Sequence, residues 1–276
     1  MNLLEQTKEF CRLYDIKPAR SKGQNFLIKE KIYDDITAAA DLKPYDMVLE
    51  VGPGLGFLTA KLAVKVKKVI AVELDDKLAE VLKTGLAAKG VGNVEVVNSD
   101  VLKTPLTPLL KGGNYKIVAN LPYNITSIFL RKFLSEVENK PELMVLMLQK
   151  EVAERICAQA GKMSLLAVSV QFYAQPEIVQ IVPAENFWPE PEVDSAIIKL
   201  EVRSEKFEVN EKDFFRLVKF GFSAKRKMLK NNLAAGFRLE TKAAEAKIKQ
   251  AGLNPKIRAQ ELAIKDWFNL VMEFYS

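Results

Sequence analysis

The sequence predicts an α/β fold: a mainly parallel sheet covered by helices on both faces, followed by a smaller helical domain. Three observations predict it. Short apolar runs alternate with helix-like stretches from Met47 to Met147, the pattern of a sheet buried on both sides. Two more strand-like runs follow, separated only by a Pro-rich loop. After Arg203 only helical patterns remain.

The chain opens on an amphipathic helix over Leu3–Tyr14, whose Glu5, Lys8 and Glu9 do not suit a signal peptide. Ile16–Lys29 then carries Lys17, Arg20, Lys22 and Lys29 without one acid. Met47–Val51 is the first long strand, and a glycine turn leads from it into a helix near Phe57. Val69–Val72 is the next strand, with Asp75 as the N-cap of the following helix. Val94–Val97, Tyr115–Ala119 and Leu143–Met147 continue the series. Glu177–Val182 and Val193–Val202 are joined through Pro183–Pro191, a connection short enough for an antiparallel pair closing the sheet edge. Helices follow at Glu211–Phe222, Arg226–Leu233, Glu240–Ala251 and Glu261–Phe274, so a boundary near Ser204 divides the chain into domains 1–203 and 204–276.

Apolar residues make up 49% of the 276, enough for a sizeable core and against global disorder. The longest apolar run, Leu143–Leu148, is far short of the ~20 residues that span a bilayer. Two cysteines, Cys11 and Cys157, build no disulfide framework, which fits a reducing cytoplasm. The absence of histidine excludes Ser-His-Asp and Cys-His nucleophilic sites and any His-ligated metal. Two scattered cysteines cannot replace such ligands, so no metal is expected. Residues 204–276 hold 15 Lys/Arg against 9 Asp/Glu, whereas residues 1–203 hold 26 of each. The whole excess of +6 therefore sits in the C-terminal quarter, which suits a polyanionic partner and a merely solvated basic surface equally well.

Ligands of open α/β sheets bind beyond the carboxyl ends of the strands. Glu50-Val51-Gly52-Pro53-Gly54-Leu55-Gly56 lies at such an end. The dinucleotide fingerprint needs its third glycine at position 57, where Phe57 stands, which weakens a nicotinamide reading. Glu73, 21 residues after Gly52, is placed to accept two ribose hydroxyls, and Asp100 to accept from an adenine amine. Each also reads as an ordinary helix-initiating or turn acid. In register on successive strands, they point to a nucleoside-type cofactor.

Asn120-Leu121-Pro122-Tyr123 follows the strand Tyr115–Ala119 and sets an amide, two carbonyls and an aromatic face at its end. Such groups suit a planar base. An exocyclic adenine amine is a poor nucleophile because its lone pair is delocalised into the ring. Hydrogen bonds from its N–H groups to the Asn120 oxygen and the Leu121 carbonyl push the nitrogen toward tetrahedral geometry. Its lone pair then faces an electrophilic methyl while Tyr123 stacks on the ring. Positioning of this kind contributes ~7–11 kcal/mol at best.

The chain resembles the small-subunit ribosomal RNA adenine-N6,N6-dimethyltransferase family over almost its whole length. The resemblance is carried by Gly23-Gln24-Asn25-Phe26-Leu27, Glu50–Gly56, Val72–Asp75, Asn98–Asp100, Asn120–Tyr123, Glu151–Arg155, Val182–Asp194 and Phe222–Leu233. It implies a Rossmann-like S-adenosylmethionine-dependent methyltransferase sheet with a smaller C-terminal helical domain that contacts RNA. It further implies that Asn25, Leu27, Gly52, Gly54, Glu73, Asp100 and Asn120 bind S-adenosylmethionine. Asn120, Leu121, Pro122 and Tyr123 would then be catalytic, and Tyr123 and Phe187 would sandwich the base. The implied substrate is a pair of adjacent adenosines in a hairpin loop near the 3′ end of small-subunit RNA, each dimethylated, within an immature small subunit. The chain departs from the family's usual pattern at Lys22 and in the short stretch Ala158–Ser164.

Ser223–Lys230 carries Lys225, Arg226, Lys227 and Lys230 and no acid, with Phe220, Phe222 and Leu229 turned to the core. If four phosphates are neutralised, affinity falls on the order of 10² between about 50 and 200 mM salt. Beside a base-methylating site this segment reads as an RNA contact, extended by Lys17, Arg20, Lys22 and Lys29. No dimerisation heptad is visible, which points to a monomer. Three rivals stay open: a DNA adenine methyltransferase, disfavoured because Asn120 is not acidic; a large-subunit RNA methyltransferase; and a non-catalytic assembly factor.

Overall fold

The computed structural model describes residues 2–18, 24–104, 113–204 and 207–276. The chain forms two compact units, one of Met1–Ala153 with Gln175–Val202, the other of Glu154–Ala174 with Arg203–Ser276.

Helix α1 (Leu3–Leu13) starts on a reciprocal cap in which Asn2 Oδ1 accepts from the Glu5 N–H at 2.9 Å and Glu5 Oε2 from the Asn2 N–H at 3.1 Å. Then come β1 (Phe26–Leu27), α2 (Glu30–Ala39), β2 (Met47–Val51), α3 (Phe57–Ala63), β3 (Lys68–Glu73), α4 (Asp76–Ala88), β4 (Val94–Asn98) and β5 (Tyr115–Asn120). Helix α5 (Thr126–Arg131) runs into a π-helical turn, Lys132–Glu136, before β6 (Leu143–Gln149) and α6 (Lys150–Ile156). After α7 (Leu165–Tyr173) come β7 (Ala174–Val182), β8 (Phe187–Trp188) and β9 (Ser195–Val202).

Seven strands form one sheet in the order β4-β3-β2-β5-β6-β9-β7. From β4 to β6 all pairs are parallel, and β9 runs antiparallel to β6. Strands β2, β5 and β6 are buried on both faces and read as largely apolar runs, broken only by Glu50 in β2 and by Lys116 in β5, which pairs with Asp46 at 2.8 Å, before the polar ends of β5 and β6. The chain crosses from one half of the sheet to the other between β2 and β5, and the strand ends at that crossover carry the glycine turn and Asn120. A two-stranded ribbon, β1 with β8, pairs Phe26 with Trp188 and Leu27 with Phe187. Two residues per strand carry no periodicity, so this ribbon left no mark in the sequence.

The second unit holds α7, α8 (Glu211–Gly221), α9 (Leu229–Phe237), α10 (Thr241–Gln250) and α11 (Ile264–Tyr275). The expected boundary near Ser204 lies close to the passage at Val202–Arg203, but residues 154–174 also belong to this unit. The reason is aromatic packing: Phe172 of α7 meets Phe214 at 4.5 Å and Phe215 at 5.0 Å between ring centroids. The short stretch 158–164 is fixed within the same unit, the Gly161 and Met163 N–H groups both donating to the Gln260 carbonyl. The helix expected from Arg226 begins at Leu229 instead, leaving Lys225–Lys227 in a turn.

Candidate active site

Strands β2 and β3 end side by side, Val51 opposite Val72. The chain leaves β2 through three glycines with positive φ, and Gly56, at φ +81, caps the start of α3. A Cβ on Gly56 would stand 2.4 Å from Leu82 Cδ1. At the end of β3 Glu73 is 6% exposed. Its Oε2 accepts from the Gly54 N–H at 3.0 Å and its Oε1 from the Asp75 N–H at 2.9 Å. Burial raises the Glu73 carboxyl above the usual range, and these two N–H groups oppose the rise. Asp75 itself caps α4, accepting from the Lys77 and Leu78 N–H groups. Helix initiation therefore falls to Asp75, and Glu73 braces the glycine turn.

These groups wall a cleft of about 340 Å³, within the usual range for small-molecule sites. Asn25, Leu27, Gly52, Gly54, Glu73, Asp100 and Asn120 all line it, so the structure gathers every residue that the sequence marked for a cofactor. Asp100 plays the turn role as well: its Oδ1 accepts from the Leu102 N–H at 2.9 Å. The Leu27 carbonyl accepts from the buried Tyr33 hydroxyl at 3.0 Å.

Asn120 ends β5 opposite Met147, and with Pro122 it forms the rim of the cleft. Among the described residues its side-chain amide has no hydrogen-bond partner. The Leu121 side chain is buried, and its N–H donates to the Met147 carbonyl at 3.1 Å. Tyr123 stands half-buried in a 3-10 turn just beyond the rim.

Phe187, expected to sandwich the base with Tyr123, lies on β8 beside Leu27. It is 3% exposed, packed in the core with Leu27 and Ile197, and it is not among the residues that line the cleft. Its pairing with Leu27 turns it inward and leaves Trp188 as the half-exposed member of β8.

In the second unit Lys225, Arg226 and Lys227 are exposed and make no ion pair among the described residues. Lys230 is bound to Glu245 at 2.6 Å, so the segment presents three free cations where the sequence suggested four. Lys17 and Lys29 are exposed; Arg20 and Lys22 lie outside the described residues.

A family model described as ribosomal RNA adenine dimethylase matches residues 17–275. The chain belongs to that family. Curated relatives named ribosomal RNA small subunit methyltransferase A agree along nearly the full length. The one from Dehalococcoides mccartyi is 46% identical over 277 residues, covering 99% of this chain and 94% of the relative. The one from Clostridioides difficile is 40% identical over 270 residues, covering 95% and 92%. A dimethyladenosine transferase from Plasmodium falciparum has a TM-score of 0.79 at 29% identity, covering 91% of this chain and 97% of that one. The 23S rRNA methyltransferase ErmE has a TM-score of 0.77 at 29% identity, covering 91% and 100%. The dimethylase uses S-adenosylmethionine as methyl donor to act on adenine N6 in ribosomal RNA.

The cleft fits that donor on a ground the sequence left unseen. Glu50, 1% exposed on β2, lines the cleft, and among the described residues its Oε2 has no hydrogen-bond partner. Burial pushes its carboxyl up to about 8; Thr59 pulls the other way and the Glu73 carboxylate adds to the rise. An unpaired buried acid is costly without a ligand, so the cleft suits a ligand that brings a cation to Glu50.

Two further residues of the dimethylase carry no sequence signal. Lys132, in the π-helical turn, donates to the Val101 and Leu102 carbonyls at 3.0 and 2.7 Å and so fastens the loop that follows Asp100. Asn232, 4% exposed, donates to the Gly221 and Ala224 carbonyls at 2.6 and 3.1 Å and pins the turn that bears Lys225–Lys227. A lone Lys or Asn inside a helical pattern reads as surface until its partners are known.

Proposed function

We propose that the dimethylase converts two adjacent adenosines, in a hairpin loop near the 3′ end of small-subunit ribosomal RNA, to N6,N6-dimethyladenosine. The supporting observation is the free Asn120 amide on the rim of the donor cleft, with Tyr123 beside it. Asn120 Oδ1 and the Leu121 carbonyl accept from the target N–H groups. The fixed ring of Pro122, at φ −56, holds that carbonyl in place. Tyr123 stacks on the base. S-adenosylmethionine supplies the electrophilic methyl. Glu73 holds the donor's ribose hydroxyls, Asp100 its adenine amine and Glu50 its ammonium. A hairpin loop is a fitting target because its unstacked bases enter a pocket at low cost.

Lys225, Arg226 and Lys227 neutralise phosphates. The partner is an immature small subunit, met in the cytoplasm by a monomer. That the curated relatives carry a small-subunit name supports this substrate. The likeness to ErmE favours a second reading, methylation of large-subunit RNA.

One assay separates them: labelled S-adenosylmethionine is offered with unmethylated small subunits, large subunits or duplex DNA, and product nucleosides are identified. Dimethyladenosine from small subunits alone is expected. Asn120→Ala is expected to lose activity by about 10²–10³ while still binding particles. Transfer to large subunits only would overturn the proposal, and no transfer to any substrate despite donor binding would leave a docking role in assembly.

A further inference from the structure

We propose that Ser195 is a positioning residue for methyl transfer: through the Tyr123 hydroxyl it sets the ring against the target adenine, and its weight falls on the second of the two transfers. The inference rests on the reading of Tyr123 as the seat of the base.

Tyr123 and Ser195 lie 72 residues apart, yet the phenol oxygen stands 2.7 Å from Ser195 Oγ. Ser195 is 0% exposed and opens β9, paired with Gln149 at the end of β6. The preceding Asp194 is tied down on two sides. Its carbonyl accepts from the Lys150 N–H at 3.0 Å, and its Oδ1 accepts from the Ala184 N–H at 3.2 Å. The Ser195 hydroxyl thus projects from a rigid frame. Tyr123 sits in a turn of only three residues, which does little to fix a ring by itself.

Among the described residues Ser195 Oγ has no other partner. A wholly buried hydroxyl is costly unless bonded, and packing alone would be served by alanine. The hydroxyl is therefore accounted for by the ring that it holds.

The two transfers differ in what else holds the base. Unmodified adenine offers two N–H groups, one each for Asn120 Oδ1 and the Leu121 carbonyl. Monomethyladenosine offers one. With half of the amine contacts gone, the orientation of the base depends more on the stacked ring, and a loosened Tyr123 slows the second transfer more than the first.

Ser195→Ala and Tyr123→Phe, singly and together, test this on unmethylated small subunits with labelled donor, the products being resolved into mono- and dimethyladenosine. Each single variant is expected to lower kcat about tenfold, the equivalent of one hydrogen bond. Donor affinity is expected to stay unchanged and the monomethyl share to rise, with the double variant no worse than either single. Wild-type kcat and product ratio in both singles would overturn the inference, as would a double variant slower by the product of the two effects. Tyr123→Phe leaves no cavity and carries the test if Ser195→Ala folds poorly. Tyr123→Ala keeps the two readings apart. Full activity there removes the base seat and this inference with it. Loss there, with wild-type behaviour of both hydroxyl variants, overturns the positioning role alone.

Discussion

The Gly54 N–H donates to Glu73 Oε2 at 3.0 Å, which makes the turn after β2 and the end of β3 a single hydrogen-bonded wall. Glu73→Ala removes that acceptor, the acceptor of the Asp75 N–H, and the carboxylate offered to the donor. Hydrogen bonds to charged groups contribute about 1.5–3 kcal/mol each, so donor affinity is expected to fall by about 10–100-fold. Glu73→Gln, which keeps one acceptor oxygen, is expected to lose less thermal stability. Titration calorimetry and thermal melts check both, and wild-type donor affinity in Glu73→Ala would remove Glu73 from the donor site.

Glu50 makes stability depend on pH. Its folded carboxyl is raised from 4.5 to about 8. Between those values the unfolded chain has released the proton and the folded chain has kept it, so stability falls as pH rises and levels off above about 8. Urea melts between pH 5 and pH 9 are expected to show this slope, and Glu50→Gln is expected to flatten it. Donor binding below pH 8 brings an ammonium to the acid and is expected to release a proton, read by calorimetry in two buffers of different ionisation enthalpy. Equal heats in the two buffers would count against the pairing.

The turn bearing Lys225, Arg226 and Lys227 is a site of charge alone. Replacing all three with alanine is expected to reduce the logarithmic salt slope of small-subunit binding by about 2–3 and to leave donor affinity untouched. An unchanged slope would place the RNA elsewhere. Asn232→Ala, which unpins the turn by removing the bonds to Gly221 and Ala224, is expected to cost about 2–3 kcal/mol of stability.

Gly56 tests the backbone of the glycine turn. Its φ of +81 and the 2.4 Å approach of a Cβ to Leu82 Cδ1 make Gly56→Ala strained in two ways. A loss of about 1–3 kcal/mol is expected in chemical denaturation. Adding Leu82→Ala relieves the clash and leaves the strain at φ, so the double variant should still be less stable than Leu82→Ala alone.

Much of this molecule was legible before its structure. Leu143–Met147 announces itself because burial on both faces leaves no polar position, and Tyr115–Ala119 does so despite Lys116, whose buried ammonium pairs with Asp46 at 2.8 Å. Gly52, Gly54, Glu73, Asp100 and Asn120 were legible because they stand at or just past strand ends, where this architecture puts ligands, whereas Asn25 and Leu27 were legible only through the resemblance. The rest depended on contacts between distant segments. Phe187 reads as a free aromatic in a Pro-rich loop until the β1–β8 ribbon turns it into the core. Glu50 looks like one acid at the end of an apolar run, and only the unpaired Oε2 reveals its task. The helix expected from Arg226 starts three residues later because Asn232 holds the preceding residues as a turn, and propensity carries no sign of that pin.

The crossover between β2 and β5 has an evolutionary consequence. Most groups lining the cleft come from residues 24–102, whereas the rim proposed to meet the base starts at Asn120, and Tyr123 beside it is hydrogen-bonded to Ser195 of β9. Because the two halves of the reaction are encoded by separate stretches of chain, the acceptor half can drift toward a new nucleotide while the donor half is inherited intact. A lineage built this way diversifies by changing its target and keeping its reagent, and the shared architecture of a dimethyladenosine transferase and a 23S methyltransferase is the outcome such a division favours.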